Sequence, residues 1–203
     1  GNVTRNELMR VLSPNGIAYI KENGKWRKEQ KRKPENTDEW THHLHGPSNN
    51  AVARDRKVKP PRTLQWKGKP LFSRSHELIP SIRALVSANG RIFYIIDEAP
   101  PGVKDPRVPS RWKLIARDAY NGVILWKRSI PGGRAAISPE SLVANNNKVY
   151  TTLNKHSELS VLNAATGKTI KRLKNTGGTQ KIIYNQGKLV LHRESRKNNP
   201  ADI

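Results

Sequence analysis

The strongest constraint on this chain is a phrase that it repeats. Residues 84–96, ALVSANGRIFYII, set two apolar runs around Asn89-Gly90, a pair favoured in the type I′ turn of a β-hairpin. The phrase returns over 141–153 as SLVANNNKVYTTL and over 181–191 as KIIYNQGKLVL. A second hairpin phrase alternates with it, first over 113–127 (KLIARDAYNGVILWK) and again over 158–172 (ELSVLNAATGKTIKR). The matching glycines, Gly122 and Gly167, stand about 45 residues apart. Two hairpins per repeat make four antiparallel strands, the size of one propeller blade. A blade cannot bury both faces by itself, so blades stack around an axis. The expected fold class is therefore all-β, a partial β-propeller of about two and a half four-stranded antiparallel blades over residues 40–203. The proline-rich segment 100–109 cannot join a ladder and is expected to loop out between the second and third strands of the first blade. Residues 60–66, PPRTLQW, are expected to form an early strand.

Within the second phrase, Asp118-Ala119-Tyr120-Asn121-Gly122 through Trp126, and Asn163-Ala164-Ala165-Thr166-Gly167, resemble the "D-A-x-T-G-x-x-x-W" signature of pyrroloquinoline-quinone-type repeat propellers. The chemistry of the motif is legible: Asp or Asn accepts backbone N–H groups at the turn, and Gly takes the left-handed position. The resemblance implies structural roles for Asp118, Gly122, Trp126, Asn163 and Gly167. It further implies that Trp126 docks on the neighbouring blade, whereas the second repeat carries Lys171 at that position. The run from Trp40 to Val52 is similar to the lead-in of such propellers.

The first 20 residues have a different grammar. Leu8, Val11 and Leu12 form a helical stripe, Ser13-Pro14-Asn15-Gly16 supplies a turn with Gly16 tolerating positive φ, and 17–20 reads as a strand buried on both faces of a parallel sheet. The segment from Glu7 to Ile20 resembles the late "E-x-x-R-V-L-x-P-G-G" portion of class I S-adenosylmethionine-dependent methyltransferases, with Asn15 replacing the first Gly of the pair. The expected organisation is a C-terminal methyltransferase remnant over 1–20, a basic linker over 21–39 and the partial propeller from 40 onward. That order resembles large bacterial methyltransferase–propeller fusions, of which the chain would be a fragment.

The formal charge of +22 attracts polyanions and anionic surfaces without specificity. Its densest block, Lys25, Arg27, Lys28, Lys31, Arg32 and Lys33, reads as a solvated linker offering weak, non-specific anion binding. A nucleic-acid arm calls for aromatic residues interleaved with the charge, and this block contains only Trp26. With no Cys, the chain has no disulfide, thiolate metal site or Cys nucleophile, which leaves the compartment open. No apolar run is long enough to span a bilayer. His42, His43 and His45 cluster in sequence; on a strand His43 and His45 would share a face, and His76 or Glu77 would complete a metal site. The competing reading, polar contacts at the propeller rim, is preferred because no carboxylate lies at a recognised metal spacing. Ser75-His76-Glu77 cannot form a triad, since neighbours on a strand point to opposite faces. Asp97-Glu98 is expected to cap a strand end or hold a loop. These features favour a non-catalytic binding or scaffold segment with no cofactor of its own. It would act through a protein partner or through the remaining blades. The alternative is a fragment of a quinone-dependent oxidoreductase whose pyrroloquinoline quinone and calcium sites lie in other blades.

Overall fold

The computed structural model describes residues 3–57, 60, 62–69, 81–103, 105, 107–131 and 138–194. The chain divides into two compact units, residues 1–38 with 54–66 and residues 39–53 with 67–203.

In the first unit, Thr4 caps helix α1 (Arg5–Val11), its hydroxyl accepting the Glu7 N–H at 3.3 Å. Ser13 to Gly16 then closes a turn through Gly16 N–H to Ser13 O at 2.8 Å. The positive φ of that turn falls on Asn15 (64°), not on Gly16 as the sequence suggested. Gly16 is required for a different reason: a Cβ there would lie 2.7 Å from Ser13 O. Strand β1 (Ile17–Glu22) pairs antiparallel with β2 (Lys25–Gln30) across Asn23-Gly24, where both φ values are positive. Two expectations are corrected here. The run 17–20 is not a parallel strand buried on both faces: its partner is the antiparallel β2, and Ile17 and Tyr19 face solvent. The basic segment 21–39 is not a plain linker, because it supplies that second strand. The apolar periodicity of 17–20 was real but belongs to a half-exposed hairpin.

The described residues of the second unit form two complete four-stranded antiparallel meanders and a further hairpin. The first sheet runs in the order β3 (Ile82–Ala88), β4 (Arg91–Asp97), β5 (Trp112–Asp118), β6 (Ile124–Ser129). The second follows the same path with β7 (Leu142–Asn145), β8 (Lys148–Thr151), β9 (Leu159–Asn163) and β10 (Thr169–Leu173). Hairpin β11 (Thr179–Asn185) and β12 (Lys188–Arg193) begins the pattern a third time. The loop between β4 and β5 contains the proline-rich segment, as the sequence indicates. Residues 62–69, by contrast, form no strand, and Leu64 is exposed. Neither sheet closes on itself.

Alternation along the strands divides the core into layers. Phe93, Ile95 and Leu114 of the first sheet meet Leu142, Val149 and Leu162 of the second, and all six are fully buried. Each contributes about 1.5–3 kcal/mol relative to exposure. The alternate residues of the second sheet, Val143, Tyr150, Leu159 and Val161, pack with Ile182, Leu189 and Leu191 of the third hairpin. The second sheet is thus covered on both faces by its sequence neighbours, while the far face of the first keeps the smaller cluster of Tyr94, Ile96 and Ile115.

The repeats also agree in detail. A register shift interrupts β3 between Ile82 and Ala84 and β11 at the corresponding place, between Thr179 and Lys181. Asp118 Oδ1 accepts the N–H groups of Tyr120 and Asn121 at 2.8 and 3.0 Å, and Asn163 Oδ1 accepts those of Ala165 and Thr166 at 2.9 and 3.1 Å. Gly122 and Gly167 take φ of 74° and 69° at equivalent positions. An acidic and an amide residue build the same turn because the geometry needs only the one oxygen that both possess.

Candidate functional site

The three first strands, β3, β7 and β11, are each the edge of a sheet, and an edge leaves N–H groups without a ladder partner. Residues Trp40, Thr41 and His42 supply those partners in order. Trp40 O accepts the Ser87 N–H at 2.6 Å, Thr41 O accepts the Ala144 N–H at 3.0 Å, and His42 Nε2 accepts the Tyr184 N–H at 3.1 Å. Ser87, Ala144 and Tyr184 each lie two residues before the hairpin turn of their own repeat. Three consecutive residues therefore touch one equivalent position in three repeats. Glu39 adds a fourth contact, its carboxylate accepting the Asn89 N–H at 2.8 Å.

His42 is the most committed side chain of this junction. It is only 5% exposed. Because Nε2 accepts a backbone N–H, the ring proton sits on Nδ1 and is donated to Thr41 Oγ1 at 2.7 Å. Burial pushes the imidazole down to about 4, with the nearby His45 acting in the same direction. A neutral ring with both nitrogens engaged is a structural pin, with no nitrogen left to take a proton from a substrate or to bind a metal. Beside it, Tyr150 and Tyr184 stack at 5.2 Å, and burial raises the Tyr150 phenol.

The two described metal candidates, His43 and His45, do not converge. Residues 42–45 form a tight turn closed by the His42–His45 bridge, with His45 at φ 72°, so His43 and His45 do not share a strand face. His43 faces solvent, and His45 packs edge-on to Trp40 at 5.4 Å. His76, together with Ser75 and Glu77, lies outside the described residues. Among the described residues, no group of three or more His, Cys, Asp or Glu side chains is placed to hold one metal ion.

The repeat residues occupy the seam between the two complete sheets. Trp126 lies against the β9–β10 turn, its Nε1 donating to Ala164 O at 2.9 Å and its ring contacting Phe93 at 6.0 Å between centroids. Gly167 has no room for a side chain: a Cβ would stand 2.6 Å from the Trp126 ring. Arg128 extends the seam, donating to Gly167 O and Thr169 Oγ1 at 2.9 Å each. Lys171 pairs with Val161 as Trp126 pairs with Ala116, so it holds the equivalent position, but it is exposed. Asp97 holds the two ends of the long loop by accepting the Ala99 and Arg111 N–H groups at 3.0 and 2.7 Å, and Glu98 pairs with Lys127.

Sequence reasoning overlooked Arg117. Its buried guanidinium donates to Tyr94 Oη at 2.6 Å, Gly122 O at 2.6 Å and Lys69 O at 2.8 Å. Its only signal was a charge at an inward position of an apolar strand. The basic run of the first unit is likewise divided by its fold. Arg27 pairs with Glu22 and Glu29, and Lys31 caps the end of α1 by donating to Leu12 O at 2.6 Å, whereas Lys25, Lys28 and Arg32 face solvent. Comparison with protein-family models and with curated proteins finds no match to this chain.

Proposed function

We propose that this chain is a segment of a β-propeller of pyrroloquinoline-quinone-type repeats, serving as a binding or scaffold module. The observation that carries the reading is the junction at Trp40–His42, where one short segment satisfies the equivalent edge N–H of three successive repeats. Edge strands that meet one segment at equivalent positions are what blades arranged around an axis would give, which supports the reading. The duplicated Asp118 and Asn163 turns and the Trp126–Gly167 seam support the same assignment. In this proposal the hairpin β11–β12 is the first half of a third blade. The N-terminal segment is the end of a methyltransferase domain, and the chain is a portion of a larger fusion.

The scaffold reading is tested by a dye-linked dehydrogenase assay on the chain with added pyrroloquinoline quinone, Ca²⁺ and a panel of alcohols and sugars. The expected result is no turnover and no quinone absorbance retained after gel filtration. Quinone- and Ca²⁺-dependent turnover would replace the scaffold reading with an oxidoreductase.

A further inference from the structure

The hairpin of the first unit brings together a surface that the linear sequence conceals. Directly paired residues of an antiparallel ladder share a face, so Ile17, Tyr19 and Lys21 of β1 stand beside Gln30, Lys28 and Trp26 of β2. All six face solvent, with Tyr19 at 65% and Trp26 at 67% exposure. Large aromatic rings this open demand an explanation that a lone surface leucine does not. Packing supplies only part of it: Lys21 Nζ lies 5.9 Å from the Trp26 ring centre, a cation–π contact that steadies the hairpin without covering the ring.

The charge on this face is uncompensated by the hairpin itself. Its two carboxylates, Glu22 and Glu29, lie on the opposite face, where they pair with Arg27 and Arg5. What remains is a unit used twice: an aromatic ring with a lysine directly across the ladder, Tyr19 with Lys28 and Trp26 with Lys21. The two rings are diagonal neighbours, about 7–8 Å apart at the backbone. A nucleotide of an unpaired strand offers the complement of each unit, a flat base and a phosphate. A membrane interface also takes Trp, Tyr and Lys, but its hold scales with buried apolar area, and only Ile17 at the margin adds aliphatic surface to the two rings.

We infer that the outward face of the β1–β2 hairpin binds single-stranded nucleic acid, with bases stacked on Tyr19 and Trp26 and phosphates paired with Lys21 and Lys28. This site rests on the first unit alone and so is independent of the propeller assignment; it requires the face to stay open to solvent, whereas a preceding methyltransferase domain packed on it would cover Tyr19 and Trp26.

The chain's charge of +22 attracts any polyanion, so the test must separate stacking from charge. Fluorescence anisotropy of the full chain with a short labelled oligouridylate is compared with a blunt duplex of equal length and with heparin. Tyr19→Ala and Trp26→Ala are each expected to weaken oligouridylate binding about 5- to 150-fold. Duplex and heparin binding should hardly change, and Trp26→Phe should restore most of the affinity, which guards against a folding artefact. Lys21→Gln with Lys28→Gln should lower the steepness of the log affinity–log salt plot by about 0.7 per lysine. The inference is overturned if both alanine variants bind oligouridylate as the parent does, or if all three ligands lose affinity equally. It is also overturned if anionic lipid vesicles displace the oligonucleotide through the same residues, or if Trp26→Ala instead dissolves a dimer of the chain.

Discussion

Substituting Gly167 by alanine tests whether the seam between the two sheets is a lock rather than a coincidence of proximity. Two costs add at this position. The residue sits at φ 69°, where an L side chain costs about 1–2 kcal/mol. Its new Cβ would also lie 2.6 and 2.7 Å from two ring carbons of Trp126, and forcing a buried ring aside costs about 1–3 kcal/mol more. Gly167→Ala should therefore destabilise the second unit by about 2–5 kcal/mol. Gly187→Ala provides the control, because Gly187 has φ 81° but nothing within 4 Å of a Cβ, leaving only the backbone cost. Trp126→Ala alone should cost about 3–5 kcal/mol. In that background Gly167→Ala should fall to the cost of the control, a coupling of about 1–3 kcal/mol. The assay is urea unfolding followed by far-ultraviolet circular dichroism, read as a shift in midpoint at unchanged slope. Equal costs at Gly167 and Gly187, or no relief when Trp126 is removed, would refute the reasoning.

Other predictions follow from single contacts. His42 is held near 4 by burial, against about 6.5 when unfolded, so between those values the unfolded state binds the extra proton. Stability should be complete above about pH 6.5 and decline by roughly 3 kcal/mol as the pH falls to about 4; His42→Gln should flatten that slope in urea titrations at stepped pH. Asp118→Asn should change stability by less than about 0.5 kcal/mol, because Asn163 builds the same turn, whereas Asp118→Ala should cost about 1–2 kcal/mol by the same titration. Arg117→Met leaves Tyr94 Oη, Gly122 O and Lys69 O without their donor and should lower the melting midpoint in calorimetry by an amount equivalent to about 2–4 kcal/mol.

The parts of this fold that the sequence revealed are those written locally. The hairpin turns at Asn89-Gly90 and Gln186-Gly187 carry their own conformational demand, and both adopt positive φ at each turn residue. The repeat of Asp118 and Asn163 was legible for the same reason, since an Asx turn closes within four residues. The β1–β2 hairpin was misjudged because its second strand, KWRKEQ, has almost no apolar residue to mark it. Its pairing depends on a turn at Asn23-Gly24 hidden within a charged run. The junction at Trp40–His42 was invisible for another reason: its partners lie up to 142 residues away, and two of its three acceptors are backbone carbonyls that any residue carries. Of three neighbouring histidines, only the tertiary contacts distinguish His42, which is buried and neutral, from His43, which faces solvent.

Amide hydrogen exchange by nuclear magnetic resonance, read at Ser87, Ala144 and Tyr184, tests the proposed radial arrangement most directly. All three amides point away from their hairpin partners, so without the Trp40–His42 hub they should exchange as open edge positions do. The propeller reading predicts strong protection at all three, with His42→Ala releasing Tyr184 while Ser87 and Ala144 stay slow. Rapid exchange at all three, while the ladder amides of β3–β4, β7–β8 and β11–β12 remain protected, would show that the repeats share no hub and would contradict the propeller reading.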